Sequence, residues 1–172
     1  MGWMAAAVLL GVSVGTAGAQ PAPLARAAIE ADFTRLDCFV DIDEALRNQQ
    51  SFDLGDGKRL VLVLCLQGAY QGSSIAYLLD GNAPPRLLDF PEWQRGRLSP
   101  SAFVTSADFD PATREMTAFA KGRGIGDCGS LGTWRWTGTA FRLKTFFYKE
   151  NCDGRLFAGQ ERWRVFPPRK KK

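Results

Sequence analysis

KGRGIGDCGSLGTWRWTGTAFRLKTFFYKENC, residues 121–152, is the stretch whose reading decides the fold. Gly122, Gly124, Gly126 and Gly129 crowd a short loop that also holds Cys128, a composition that permits positive φ and close backbone approach. Gly124, Gly126 and Gly129 formally satisfy the G-x-G-x-x-G spacing of dinucleotide-binding loops. That spacing works only when a helix follows and its N-terminus receives the pyrophosphate. Here the chain continues as Thr133-Trp134-Arg135-Trp136-Thr137, then Gly138, then Phe141-Arg142-Leu143-Lys144. Trp134 and Trp136 fall on one side and Arg135 on the other, which is the period of a strand. The stretch therefore reads as a tight β-connection pinned by a cysteine and running into a hairpin.

Outward from it the pattern stays β. Residues 59–66, RLVLVLCL, form a continuous apolar run that predicts a central strand buried on both faces. Residues 74–80 and 86–90 predict a hairpin around Asp80-Gly81-Asn82, placed at an edge by Pro84 and Pro85. Residues 91–100 read as a loop exposing Trp93, Arg95 and Arg97. Residues 102–108 and 114–120 pair across a turn marked by Asp110-Pro111. Residues 141–148 put Phe141, Leu143 and Phe147 on one face, and 162–166 give a last short strand before Pro167-Pro168. Toward the N-terminus, 20–32 reads as a linker with a helical turn at 24–30, 33–40 as a strand carrying Cys38, and 41–50 as a short helix. The strand, loop and hairpin of 59–90 recur in outline as 114–147. The expectation is one all-β domain over 33–168, mainly antiparallel, sandwich or propeller-like, with one or two short helices.

Residues 4–19 are apolar and end in Ala17-Gly18-Ala19, which predicts a secretory signal peptide over 1–19; an uncleaved N-terminal anchor is the alternative. Four cysteines, without C-x-x-C spacing, then read as disulfides in an exported chain. Cys38–Cys65 and Cys128–Cys152 are the expected pairs, since each joins neighbouring elements and the second brackets one loop and hairpin. The formal charge is +4, and Arg169, Lys170, Lys171 and Lys172 supply all of it. The body is balanced, so a nucleic-acid-binding face is not indicated. The tail at 169–172 is instead a candidate for contact with anionic lipid or lipopolysaccharide.

GRGIGDCGSLGTWRWTGTAFRL with Cys152 beyond it, together with Leu64-Cys65-Leu66-Gln67-Gly68-Ala69-Tyr70-Gln71, resembles the two recurrent blocks of the bacterial family called domain of unknown function 1176. The resemblance covers roughly residues 60–152. It implies an exported, periplasmic or secreted, protein of Gram-negative type. It supplies no activity and no catalytic residue.

The chain has no histidine. That removes Ser-His-Asp and Cys-His catalysis, histidine-based zinc sites and the commonest general base. No cofactor or metal-ligand set is read. The cluster Asp37, Asp41, Asp43 and Glu44 is the carboxylate group to weigh for glycoside hydrolysis, against a solvated strand-to-helix junction. Asp53-x-Gly55-Asp56-Gly57 is a weak calcium-loop candidate. Asp127 is expected to hold its turn by accepting backbone N–H groups, or to pair with Arg123 at a recognition site. Tyr70 and Trp93, on loops, are the aromatic candidates for touching a glycan or protein, while Trp134, Trp136, Phe141 and Phe147 belong to the core. The leading reading is a non-catalytic envelope protein that binds another envelope macromolecule, protein or glycan, with lysozyme inhibitors as the analogy at fold level. A carboxylate-based hydrolase of cell-wall glycans is the alternative.

Overall fold

A computed structural model describes residues 23–94, 96–157 and 161–168. The expected signal segment 1–19, Arg95 and the basic tail 169–172 lie outside the described residues. Two antiparallel meanders follow one another along the chain. The first comprises β1 (Gln50–Gly55), β2 (Lys58–Gln67), β3 (Gly72–Asp80) and β4 (Arg86–Leu87), with β7 (Phe103–Thr105) sharing the outer edge of β3. The second comprises β8 (Ala107–Asp110), β9 (Glu115–Lys121), β10 (Gly129–Trp136), β11 (Phe141–Lys149) and β12 (Arg164–Phe166), neighbours in that order. Between them β5 (Glu92–Gln94) and β6 (Arg97–Ser99) form a small separate hairpin.

The inner faces of the two sheets share one core. Leu54, Leu60, Leu62, Ala76 and Leu78 from the first meet Met116, Ala118, Trp134, Trp136, Phe141 and Phe146 from the second. Two sheets over a common core make a sandwich, which settles the sandwich-or-propeller alternative. The rings pack edge-on: Phe90 meets Trp134 with centroids 5.5 Å apart, and Phe109 meets Phe141 at 5.9 Å. The outer face of the first sheet is buried as well. Val61, Val63, Cys65, Ile75, Tyr77 and Leu79 lie under α1 (Arg26–Arg35) and α2 (Ile42–Arg47), which explains the unbroken apolar run of β2. Tyr77, fully buried there, donates its hydroxyl to Asp32 of α1 at 3.0 Å.

Several expectations are corrected. Residues 26–35 are a helix packed on the sheet rather than part of a linker, and 33–40 hold no strand. Ile29 and Phe33, four apart, share the buried side of α1, so the helical period wins over the apolar 33–40 run. The helix ends where Asp37 takes φ 52°. Trp93 sits in β5 and packs against the core, not on an irregular loop. Residues 102–108 do not form one strand. Phe103–Thr105 pairs with β3, Ser106 takes φ 47°, and the chain crosses to the second sheet as β8. A register shift in β11, where Thr133 faces Thr145 and Trp134 faces Leu143, reverses the alternation beyond it. Phe146 therefore joins Phe141 and Leu143 in the core between the sheets, and Phe147, buried as expected, turns to the opposite face.

The structure joins Cys38 to Cys65 and Cys128 to Cys152, with Cα atoms 4.6 and 4.8 Å apart. The first bond ties the segment after α1 to β2, and the second ties the glycine loop to the chain beyond β11. Non-reducing peptide mapping should recover these two pairs; a Cys65–Cys128 link would contradict the fold. Two disulfides in one domain fit an extracytoplasmic location. Among the described residues no helix is long and apolar enough to cross a membrane.

Candidate functional site

The sandwich has two unlike ends. At one, turns 55–57, 80–83, 110–114 and 137–140 close the hairpins with glycine and polar residues. Arg86 donates to the Thr139 carbonyl at 2.6 Å, and Asp110 accepts from the Ala112 N–H and the Thr113 hydroxyl. At the other lie loop 68–71 between β2 and β3, the glycine loop between β9 and β10, and residues 150–157 beyond β11. The two sequence blocks that stand more than fifty residues apart meet here.

The contact between them is specific. The Gln71 side chain accepts from the Lys121 N–H at 3.0 Å and donates to the Lys121 carbonyl at 3.2 Å, so its amide imitates a strand neighbour for the last residue of β9. Tyr70 lies over Gly124, where an added Cβ would sit 3.9 Å from its ring. Gly68 N–H donates to the Gln71 carbonyl at 2.9 Å and closes the shorter loop.

The glycine loop is braced from within. Gly122 N–H donates to the Cys128 carbonyl and Gly126 N–H to the Arg123 carbonyl, both at 2.9 Å. Arg123 grips Asp127 through Nε to Oδ1 at 2.7 Å and Nη2 to Oδ2 at 2.5 Å, and also reaches the Cys152 carbonyl at 3.2 Å. Gly154 N–H donates to Asp127 Oδ2 at 2.6 Å. Asp127 thus has the pairing with Arg123 weighed from the sequence, and it accepts backbone N–H groups both from Gly154 and from its own turn. The carboxylate is fully buried, and the Arg123 guanidinium with its paired hydrogen bonds holds its pKa far below the ordinary carboxylate range. Next to it the buried Lys149 ammonium bonds the Asp153 carboxylate and the Arg155 carbonyl, and lies 5.4 Å from the Trp163 ring centroid. The Lys149 partnership lowers the Asp153 pKa. Its alternation with exposed neighbours gave no hint from sequence that this lysine would be inside.

On this braced support sit apolar side chains open to solvent. Tyr70 is 50% exposed, Ile125 60%, Leu156 65% and Phe39, next to the first disulfide, 68%. Tyr148, whose ladder partner is Ser130 beside the glycine loop, is the remaining large exposed apolar residue among those described. All five belong to the same end. Ile125, Leu156 and Phe39 were missed as candidates from sequence, although a lone isoleucine within a run of glycine and charge was a readable signal. Trp93 lies apart from Tyr70, in the β5–β6 hairpin.

Three of the carboxylates weighed from the sequence have structural partners. Asp41 caps α2 by accepting from Glu44 N–H at 2.9 Å, Asp43 pairs with Arg26 at 2.7 Å, and Asp53 accepts from Gly55 N–H within its own hairpin. The one grouping of potential metal donors among the described residues is Asp127, Cys128 and Cys152, whose sulfurs are joined to each other.

Comparison with known proteins gives the same two-block pattern a family but no activity. The chain is 31% identical over 126 residues to the uncharacterized protein YpfG of Escherichia coli (strain K12), an overlap of 71% of this chain and 35% of that protein. It thus spans about a third of the length of that relative. No solved structure matches it. The family described as protein of unknown function (DUF1176) matches residues 12–167, taking in both sheets and both disulfides, and the chain belongs to that family.

Proposed function

We propose that this is an exported, periplasmic or secreted, non-catalytic protein that docks on a protein of the cell envelope through the end formed by Tyr70, Ile125, Leu156 and Phe39. The observation that carries the reading is the confinement of the large exposed apolar side chains to one end of the sandwich. Scattered apolar exposure needs no explanation, whereas contiguous exposure marks a contact surface. The loops beneath are held by a disulfide, an ion pair between half-exposed Arg123 and buried Asp127, and the Gln71 bridge, so little ordering entropy is lost on binding. A protruding, braced loop of this kind is also how lysozyme inhibitors enter an enzyme cleft, an analogy at the level of architecture. The signal segment 1–19 supplies export, and the tail 169–172 adds attraction to anionic lipid or lipopolysaccharide.

The test pairs capture with stability. Tyr70→Ser and Ile125→Ser should abolish capture of the partner that the wild-type chain, disulfides intact, retains from envelope extract. Their melting temperatures should stay close to wild type, because both side chains are at least half exposed. Capture that survives both substitutions would move the contact elsewhere. The hydrolase alternative is addressed by assaying the same preparations for release of reducing ends from peptidoglycan; turnover would displace the non-catalytic reading.

A further inference from the structure

We propose that the mouth between the two sheets, at the turn end of the sandwich, binds a small apolar carboxylate, either a free short-chain acid or the C-terminal alanine of a short peptide. The cavity there has a volume of about 210 Å³. That is below the range of clefts for drug-sized ligands, so its occupant is short.

Neighbouring strands of the first sheet build one wall. Lys58 lies two residues before Leu60 of β2, Asp80 two after Leu78 of β3, and Arg86 of β4 two before Leu88. These leucines belong to the core between the sheets, and alternation puts the charged side chains on the same face, at its rim. Lys58 stands opposite Asp80 in the ladder and Arg86 opposite Leu78. Because β3 lies between β2 and β4, the two cations flank the cavity from either side. The other sheet supplies the facing wall through Gly138 and Thr139, in the turn between β10 and β11. A Cβ on Gly138 would meet nothing within 4 Å, so this wall leaves the mouth open.

The donors are held in place and only partly used. Arg86 Nη2 donates to the Thr139 carbonyl at 2.6 Å, which ties the guanidinium across the mouth from one sheet to the other. Its Nε and Nη1 have no hydrogen-bond partner among the described residues. Lys58, its side chain mostly buried, meets Asp80 at 3.4 Å, longer than a charge-assisted hydrogen bond. Buried charged groups are ordinarily hydrogen-bonded, so this ammonium has an acceptor to gain. Two cations against one carboxylate leave a single positive charge, which matches a monoanion rather than a phosphate dianion. An arginine fork fits the two oxygens of a carboxylate. Leu78, Ala83 and Pro84 make the remaining surface apolar, which suits a methyl or short alkyl group and not a ring of hydroxyls. The site uses none of Tyr70, Ile125, Leu156 or Phe39, so this inference stands or falls separately from the docking surface.

The experiment is titration of the isotopically labelled full chain, disulfides intact, with butyrate, N-acetyl-alanyl-alanine, the C-terminal amide of that dipeptide and inorganic phosphate, read from backbone amide shifts. At least one of the two acids should give saturable shifts at Leu78, Gly138 and Thr139; which of them binds tighter identifies the source. The amide and phosphate should each bind at least about tenfold more weakly than that acid. Arg86→Gln and Lys58→Gln should each weaken the acid about tenfold, and Tyr70→Ser should leave it unchanged. Arg86 is exposed, so its variant remains informative even if loss of Lys58 disturbs the fold. Absence of saturable shifts at the mouth with either acid, an amide or phosphate that binds as well, or affinity unaltered in both variants would each overturn the proposal.

Discussion

Replacing Gly129 by alanine is expected to destabilise the protein by at least about 3 kcal/mol, combining backbone strain with overpacking. Gly129 opens β10 and pairs with Lys121 of β9 on one side and Lys149 of β11 on the other. Its φ is 127°, a region closed to L side chains, and a Cβ there would strike the Ala120 carbonyl oxygen and lie 2.9 Å from the Gly122 nitrogen. Both obstacles are backbone, one in β9 and one at the first residue of the glycine loop, so neither can turn aside. Gly57→Ala is the control: φ is 72°, but nothing lies within 4 Å of the added carbon, and the cost should be near 1 kcal/mol. Urea unfolding of the two variants beside wild type measures the contrast, and equal losses would remove close packing from the account of Gly129.

Asp127→Asn should lower the melting temperature by several degrees and loosen the glycine loop. The change removes the charge that Arg123 grips and leaves the guanidinium and the Gly154 N–H competing for a weaker acceptor. Arg123→Ala should be at least as damaging, since it leaves the buried carboxylate with the Gly154 N–H and no countercharge. The effect carries a pH signature. In the folded protein the Asp127 pKa is depressed below its unfolded value of about 3.9, so the stabilisation is complete above that value and fades as pH falls through the folded-state pKa. The melting-temperature gap between wild type and Asp127→Asn should hold steady from about pH 7 to pH 5 and narrow in stronger acid. A gap that widened on acidification would contradict the ion-pair assignment.

The parts of the fold that could be read from sequence are those whose periodicity is local. The alternation of Trp134 and Trp136 about Arg135, the apolar run of β2 and the Asp80-Gly81-Asn82 turn each specify their element without reference to distant residues. What escaped was decided by tertiary context. The helix α1 overrides the β-like appearance of 33–40 because the sheet's outer face needs a cover, and Ile29 with Phe33 supplies it. The parity of Phe146 and Phe147 depends on one residue of register shift, which no alternation pattern announces. The same holds at the site. Arg123, Asp127 and Tyr70 were visible as unusual residues in unusual loops, but their meeting through Gln71 and Lys121 depends on which ends of two separate meanders coincide. Lys149 entered the interior because Asp153 and Trp163 wait there, and neither position singles itself out along the chain.

The central claim, that the end carrying the two loops is a protein-docking surface, is tested most directly by site-specific photocrosslinking in the living cell envelope. A photoreactive residue replaces Ile125 at the loop end in one variant and Asn82, in the turn at the opposite end, in another. The account predicts a discrete crosslinked protein from position 125, suppressed by Tyr70→Ser in the same chain, and no discrete product from position 82. The same product from both positions, or a product from 82 alone, would contradict it.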